Sequence, residues 1–234
     1  MNTQRFLLQS VLVDAAKLQN KVAVYDGDQP YSFKNLHLLS DKFALGLQRR
    51  GVLRGDRVVV FLGNRIECIV AFWGILKAGA VVVNVGIETA PEKLSFILKD
   101  SEASVLIADN KSIDCLADHI DDSTFIHSTI YVGERRLDNS FLGYEEIVSN
   151  SDVELIRVAI TDMDLAAIIY TSGSTGDPKG VMMTHKNMLS ALASLEAYLA
   201  YQQADVVLCS MPLSFDYGLY QMLMSIKTGA TLIL

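Results

Sequence analysis

The sequence predicts an α/β fold in which largely parallel sheets carry helices on both faces. Strand-like and helix-like segments alternate along almost the whole chain, which is the pattern of strands joined by helical crossovers. Several strand-like segments are uninterrupted aliphatic runs, and such runs are typical of strands buried on both faces. The chain has 234 residues, of which 50% are hydrophobic, so it is long enough to bury a substantial core.

Eight strands and five helices are predicted from hydrophobic periodicity and turn-forming residues. The predicted strands are Val22 to Tyr25, Arg57 to Leu62, Ala80 to Asn84, Ser104 to Ala108, Thr129 to Val132, Ala166 to Thr171, Val206 to Ser210 and Ala230 to Leu234. The predicted helices are Phe33 to Arg50, Ile66 to Ala78, Pro91 to Lys99, Lys186 to Ala200 and Tyr217 to Lys227. Between residues 109 and 164 the pattern is weaker and more polar, so an internal domain boundary is expected there.

The ends of the helices carry recognisable signals. Ser32 stands at the N-cap position of the first helix, and Gly51 follows its last turn. Gly79 closes the second helix, and Pro91 occupies a first-turn position of the third, where its missing N–H is not needed. These residues predict where each helix begins or ends.

Composition excludes several classes of protein. A net charge of -7 argues against a broad basic surface for nucleic acid or anionic membranes. The three cysteines have neither zinc-ligand spacing nor the pattern of a disulfide framework, which fits a reducing cytoplasm. The N-terminal residues do not resemble a signal peptide, and the longest apolar run, Cys68 to Leu76, is shorter than the ~20 residues that cross a bilayer. We therefore expect a soluble, cytoplasmic protein.

The segment from Ile169 to His185 has the composition of a phosphate-binding loop. It follows an apolar strand, and its glycines allow backbone N–H groups to turn toward an anion. Thr171, Ser172, Ser174 and Thr175 also offer hydroxyl groups, and Lys179 offers a positive charge. It is not the common P-loop, which ends in Gly-Lys-Ser or Gly-Lys-Thr before a helix. The simpler alternative is an ordinary turn, because turns are built from the same residue types.

The length of the motif decides between these alternatives. Tyr170 to Val181 closely resembles the signature Tyr-Thr-Ser-Gly-Ser-Thr-Gly-x-Pro-Lys-Gly-Val of the adenylate-forming superfamily, which includes acyl-CoA synthetases and peptide-synthetase adenylation domains. Leu76 to Ala80 resembles the second core motif of that family, and Tyr31 to Leu36 a degraded first motif with Asn35 where Glu is usual. Thr184-His185 also stands where the family has Thr-His, and the resemblance extends from about Tyr25 to Leu234.

The resemblance implies an AMP-forming ligase. Such an enzyme uses ATP and Mg²⁺ to activate a carboxylic acid (a fatty, other acyl or amino acid) as its acyl-AMP. It then transfers the acyl group to a thiol of CoA or of a carrier protein. The resemblance assigns ATP-phosphate binding to Thr171, Ser172, Gly173, Ser174, Thr175, Gly176 and Lys179.

Phe215 and Asp216 are the candidate acid-binding residues. They stand where the fourth core motif of the family begins, and the resemblance implies that Asp216 holds the ammonium group of an amino acid. The alternative is that Asp216 only caps a helix starting at Tyr217. His185 has two interpretations as well, since it either contacts the substrate or loop, or serves only in capping and packing.

Two departures from the family pattern qualify the resemblance. After Gly79 the family commonly continues toward a proline, whereas this chain reads Val81 to Gly86 without one. The family motifs expected downstream of Leu234 do not occur, so the chain is expected to be the N-terminal portion of an AMP-binding domain without the C-terminal domain. Alone it is then expected to be inactive and to self-associate through exposed apolar surface. The alternative is a non-catalytic fragment or interaction module that keeps the fold.

Overall fold

Eleven strands of the described chain form two sheets. The computed structural model describes residues 6–109, 112–113, 125–133, 141–149, 155–171 and 177–234. The strands are β1 (Val22–Asp26), β2 (Gln29–Ser32), β3 (Arg57–Phe61), β4 (Val81–Asn84), β5 (Ala103–Asp109), β6 (Ser128–Val132), β7 (Phe141–Gly143), β8 (Leu165–Thr171), β9 (Lys179–Thr184), β10 (Val206–Leu208) and β11 (Thr231–Ile233). The helices are α1 (Ser10–Ala15), α2 (Phe33–Arg49), α3 (Ile66–Ala78), α4 (Pro91–Asp100), α5 (Tyr144–Val148), α6 (His185–Leu199) and α7 (Asp216–Thr228), with a 3₁₀ turn at Ala16–Leu18.

The larger sheet has seven strands in the order β7-β6-β5-β3-β4-β8-β9. All of its neighbouring strands run parallel except β8 and β9, which form an antiparallel hairpin at one edge. The smaller sheet has the order β10-β11-β1-β2, in which only β1 and β2 are antiparallel. The predicted α/β class with largely parallel sheets is therefore confirmed.

The central strands are buried on both faces, as their aliphatic runs predict. In β3, Val58 and Val60 belong to one hydrophobic cluster, whereas Val59 and Phe61 belong to another on the opposite face. Helix α3 lies in the first cluster and is buried around its circumference, with Trp73 fully inaccessible. A helix that is apolar all round is therefore placed between layers instead of at the surface.

The predicted helix ends are also confirmed. The Ser32 hydroxyl accepts a hydrogen bond from the backbone N–H of Asn35 at 3.1 Å, so it caps α2. Pro91 is in the first turn of α4. Gly79 ends α3 with a φ of +83°, a left-handed conformation that glycine adopts without strain.

Several elements differ from the prediction. Strands β2, β7 and β9 and the short helices α1 and α5 were not among the predicted elements, and all five have six residues or fewer. Pro30 obscures β2, which lies at an edge of the smaller sheet where a missing N–H is tolerated. Of the region with the proposed boundary, β6 and β7 continue the seven-stranded sheet, while residues 110–111, 114–124, 134–140 and 150–154 lie outside the described residues.

Cys68 and Cys209 are buried free thiols, and Cys115 lies outside the described residues. Among the helices that the structure describes, none is both long and apolar enough to pass through a lipid bilayer.

Candidate functional site

A cleft of about 520 Å³ opens at the carboxyl ends of three parallel strands. The residues that follow β3 and β4 line one side, and Tyr170 and Thr171 at the end of β8 line another. Residues 210–215, which connect β10 to α7, contribute Ser210, Pro212, Ser214 and Phe215 to the remaining wall. Ligands of parallel α/β sheets bind at this edge, so the cleft is the candidate functional site.

The residues that flank the predicted phosphate loop lie beside this cleft, which Thr171 and Pro178 both line. Thr171 and Lys179 are the last paired residues of that hairpin, and Ser172, Gly173, Ser174, Thr175 and Gly176 between them lie outside the described residues. Thr171 and Lys179 are both exposed. Among the residues that the structure describes, the Lys179 ammonium has neither an ion pair nor a hydrogen bond. It is therefore available to an anionic ligand.

The base of the hairpin is packed closely against its own strands. A Cβ atom at Gly180 would lie 2.8 Å from Cγ2 of Ile168 and 3.1 Å from Cζ of Tyr170, so a side chain there would force these neighbours to shift. The Tyr170 hydroxyl donates a hydrogen bond to Oδ2 of Asp100 at 2.5 Å. The loop therefore starts from a rigid base, and the glycine of its Lys-Gly pair has a packing reason.

Two asparagines hold the opposite wall of the cleft. The Asn64 amide donates to the carbonyl of Cys209 at 3.2 Å and of Met211 at 2.9 Å, and its Oδ1 accepts from the N–H of Leu213 at 2.8 Å. Asn84 donates to the carbonyl of Leu213 at 3.3 Å. Sequence reasoning did not single out either residue. The available signal was a polar side chain just after a buried parallel strand.

The chain after Gly79 departs from the family pattern and still forms a regular strand. Strand β4 runs to Asn84 and pairs with both β3 and β8. A Cβ at Gly86 would lie 3.0 Å from the Ser214 hydroxyl. Close approach between the two walls of the cleft is thus the physical reason for a small residue at this position.

Of the two candidate acid-binding residues, only Phe215 lines the cleft. It is 58% exposed and stands at the N-cap position of α7 in an extended conformation. Asp216 is the first residue of α7, so the interpretation of Asp216 as the cap of a helix starting at Tyr217 is wrong. Its exposed carboxylate makes no hydrogen bond to any part of the chain that the structure describes. Burial, and then the charge of Asp216, raise the pKa of the Tyr220 hydroxyl to about 12.

His185 does not contribute to the cleft. It is 2% exposed, and its Nδ1 accepts a hydrogen bond from the backbone N–H of Leu8 at 3.1 Å. Burial lowers the pKa of His185 to about 4 despite the nearby charges of Asp164 and Asp162, so the ring is neutral at pH 7. The packing interpretation of this residue is therefore confirmed.

Lys77 of the second motif also lies away from the cleft. Its buried ammonium donates to Asp41 Oδ1 at 2.6 Å, Ser40 Oγ at 2.7 Å and the His37 carbonyl at 3.1 Å, and lies 2.9 Å from His37 Nδ1. Burial lowers the pKa of Lys77 to about 8, against the opposing effect of Asp41. With its donors used in this way, Lys77 joins α3 to α2 and has a structural role.

Comparisons with known proteins identify the family and agree with the fold. A family model described as "AMP-binding enzyme" matches residues 12–234. Tyrocidine synthase 1 of Brevibacillus parabrevis is 28% identical over 93% of this chain, which spans 19% of that protein. 4-Coumarate–CoA ligase 1 of Solanum tuberosum is 26% identical over 94% of this chain, which spans 41% of that protein. The apo structure of Mycobacterium smegmatis MbtA superposes on 97% of this chain and 43% of its own length, with a TM-score of 0.90 and 26% identity.

Proposed function

Since this chain belongs to the AMP-binding enzyme family, we propose that it binds the phosphates of ATP in a ligase that activates a carboxylic acid as acyl-AMP. The substrate carboxylate attacks the α-phosphorus, and pyrophosphate leaves. The acyl group then passes to a thiol, either of CoA, as the name of the coumarate relative suggests, or of a carrier protein. The observation that carries this proposal is the pairing of Thr171, which lines the cleft, with Lys179, whose ammonium has no partner among the described residues.

The phosphate end of ATP fits the hairpin side of the cleft. Lys179 and the Thr171 hydroxyl lie on adjoining strands at the point where the predicted loop begins and ends. A lysine is a compact positive charge suited to phosphate oxygens, and hydroxyl groups add hydrogen bonds. These groups stabilise charge that develops on the leaving pyrophosphate and orient it without any covalent step. Ser172, Gly173, Ser174, Thr175 and Gly176 complete this proposed phosphate site.

The acid is proposed to enter beside Phe215. Asp216 follows it immediately and is exposed with its carboxylate free of hydrogen bonds to the described chain. A free carboxylate beside the cleft suits an acid that carries a positive group, because opposite charges attract each other. Without such a group the aromatic ring of Phe215 favours an aryl or alkyl acid instead. Amino acids and aryl acids are therefore the two substrate classes to compare.

Mg²⁺ is expected to accompany ATP. In the portion of the chain that is described, no group of three or more His, Cys, Asp or Glu side chains is placed to hold a metal ion. Mg²⁺ commonly keeps several waters and binds through substrate phosphates with few protein ligands. The described residues therefore fit a metal delivered on the nucleotide better than a resident metal ion.

Acid-dependent ATP–pyrophosphate exchange tests the activity. The panel should contain fatty, aryl and amino acids, each assayed with this chain and with any longer product of its gene. Calorimetric titration of this chain with MgATP tests nucleotide binding separately. Lys179→Met should weaken MgATP binding by at least about tenfold, the scale of one lost charge-assisted contact. Lys34→Met is the matched control, because Lys34 is an exposed lysine on α2 and is not part of the β8–β9 hairpin.

Three outcomes are informative. MgATP binding that depends on Lys179 and not on Lys34, together with exchange for one class of acid, would establish the proposal and name the substrate class. Binding that is insensitive to Lys179 would remove the assigned phosphate site. Absence of both binding and exchange in every form of the protein would favour the alternative of a non-catalytic interaction module.

A further inference from the structure

Tyr170 links the β8–β9 hairpin to helix α4. Its hydroxyl donates to Oδ2 of Asp100, the last residue of α4, at 2.5 Å. Its ring lies close enough to Gly180 that a Cβ atom added there would be 3.1 Å from Cζ of the tyrosine. Tyr170 directly precedes Thr171 and is paired across the hairpin with Gly180, which directly follows Lys179. One side chain thus contacts both strands at the base of the proposed phosphate loop.

We propose that Tyr170 and Asp100 are a positioning pair that fixes the base of the phosphate loop relative to α4. This inference rests on the proposed function, since it assigns these residues to ATP binding through Thr171 and Lys179. Neither Tyr170 nor Asp100 needs to touch the phosphates. Their hydrogen bond fixes the position of the hairpin relative to α4, and therefore the positions of Thr171 and Lys179.

The location of the hairpin explains why such a contact matters. Strand β9 is at the edge of the seven-stranded sheet and is paired only with β8. Helix α4 contributes Lys93 and Ile97 to the lining of the cleft, which Tyr170 also lines. The hydrogen bond from Tyr170 to Asp100 therefore joins the hairpin to a helix that lines the same cleft, and it reduces the freedom that phosphate binding would otherwise have to remove.

Hydrogen bonds from β3 hold the C-terminal end of helix α4 in place. Arg57 at the start of β3 donates to the carbonyl of Ser101 at 2.5 Å and to that of Glu102 at 2.8 Å, just beyond the end of α4. Asp100 places a carboxylate at a helix C-terminus, where the helix dipole disfavours negative charge. A strong donor such as the Tyr170 hydroxyl offsets this effect. The bond is therefore charge-assisted and stronger than one between neutral groups.

The Tyr170 hydroxyl keeps its proton under ordinary conditions. Burial first, and then the hydrogen bond and charge of Asp100, raise the pKa of Tyr170 above its usual value. A phenol that remains neutral is a donor throughout the physiological pH range. The pair therefore holds the hairpin without depending on pH near neutrality.

Calorimetric Kd values for MgATP test the pair in the intact chain. Tyr170→Phe and Asp100→Ala each remove the hydrogen bond and should raise the Kd about tenfold, with the double variant no weaker than either single variant. Asp100→Asn keeps an acceptor oxygen and should restore a Kd within about threefold of wild type. Tyr198→Phe is the matched control, because this tyrosine is 84% exposed on α6.

Thermal unfolding of each variant separates positioning from folding. Weaker binding by variants that remain fully folded at the titration temperature, with rescue by Asp100→Asn, would establish the pair. Folded Tyr170→Phe or Asp100→Ala with an unchanged Kd would overturn it, even if their unfolding midpoints fall. A wild-type chain that binds no MgATP would instead overturn the proposed function, and the inference with it.

Discussion

Acidification should destabilise this protein through His185. Burial lowers the pKa of His185 from its usual 6.5 to about 4, so between these values the unfolded chain takes up a proton that the folded chain does not. The contribution of His185 to the free energy of unfolding is therefore complete above pH 6.5 and is lost as the pH falls toward 4. From the linkage relation, lowering the pH from 7 to 5 removes about 2 kcal/mol of the free energy of unfolding through this one group.

Urea unfolding of wild type and His185→Asn at pH 7 and pH 5 measures this contribution. The Asn Oδ1 can still accept the hydrogen bond from Leu8 that His185 Nδ1 accepts at 3.1 Å, but the side chain does not titrate. We expect wild type to lose about 2 kcal/mol more than the variant over this pH interval. His37, whose pKa is lowered by burial and then by the charge of Lys77, acts with the same sign in both proteins and cancels in the comparison.

His127→Asn is the control for this experiment, because His127 is exposed and should not account for the difference. Equal losses of stability in wild type and His185→Asn would refute the reasoning. A variant that unfolds already at pH 7 would be replaced by His185→Gln, for which the same pH comparison holds. The measured quantity is the pH dependence and not the absolute stability of either protein.

Three further predictions concern contacts around the cleft and the Lys77 cluster. Gly218→Ala should lower the free energy of unfolding by about 1–3 kcal/mol in urea titrations, because the added Cβ atom would lie 2.3 Å from the Pro212 carbonyl oxygen. Asn64→Ala should lower it by about 1–3 kcal/mol and speed amide hydrogen exchange at Leu213, which loses its acceptor. Lys77→Met should lower it by about 3–5 kcal/mol, because the mostly buried carboxylate of Asp41 loses the ammonium group paired with it.

Each of these predictions has a comparison that separates its cause. Gly63→Ala should be tolerated, since its Cβ would meet only Ile87 at an ordinary 3.5 Å; equal losses at Gly63 and Gly218 would contradict the clash. Asn64→Ala should leave exchange in β5 unchanged, and uniform acceleration would indicate global destabilisation instead. Adding Asp41→Leu to Lys77→Met should recover stability if charge burial is the cause. A double variant less stable than the single one would exclude that explanation.

Local sequence signals predicted the helices and the central strands well. Caps such as Ser32 and Gly79 act within a few residues of the chain, so their effects can be read from neighbouring positions. Buried parallel strands are also easy to recognise in the sequence, because a strand covered on both faces is an uninterrupted aliphatic run. Short edge elements such as β2 were missed, since their pairing depends on partners and not on composition.

The candidate site was predicted less completely. The sequence motif located Thr171 and Lys179, which the hairpin places beside each other, but not the residues that position the walls of the cleft. Asn64 contacts residues 145 or more positions away, and Tyr170 contacts Asp100 across 70 positions. Such contacts follow from the order of strands in a sheet, which a single sequence does not reveal. The alternative that Asp216 caps a helix starting at Tyr217 was wrong because the helix starts one residue earlier, with Asp216 in its first turn.

The parallel pairing of β1 with β11 has a consequence for how this protein folds. Thr231 donates to the carbonyl of Val22 across 209 positions, so two strands from opposite ends of the described chain are hydrogen-bonded neighbours. Closing so large a loop reduces the entropy of the chain before the contact between the strands can stabilise it. Topologies of this kind therefore fold slowly. During synthesis, the smaller sheet cannot form until β11 has left the ribosome, although the β1–β2 hairpin is made much earlier. The edge of β1 is thus exposed to premature strand pairing throughout translation, which makes this sheet the place where chaperone dependence should be concentrated.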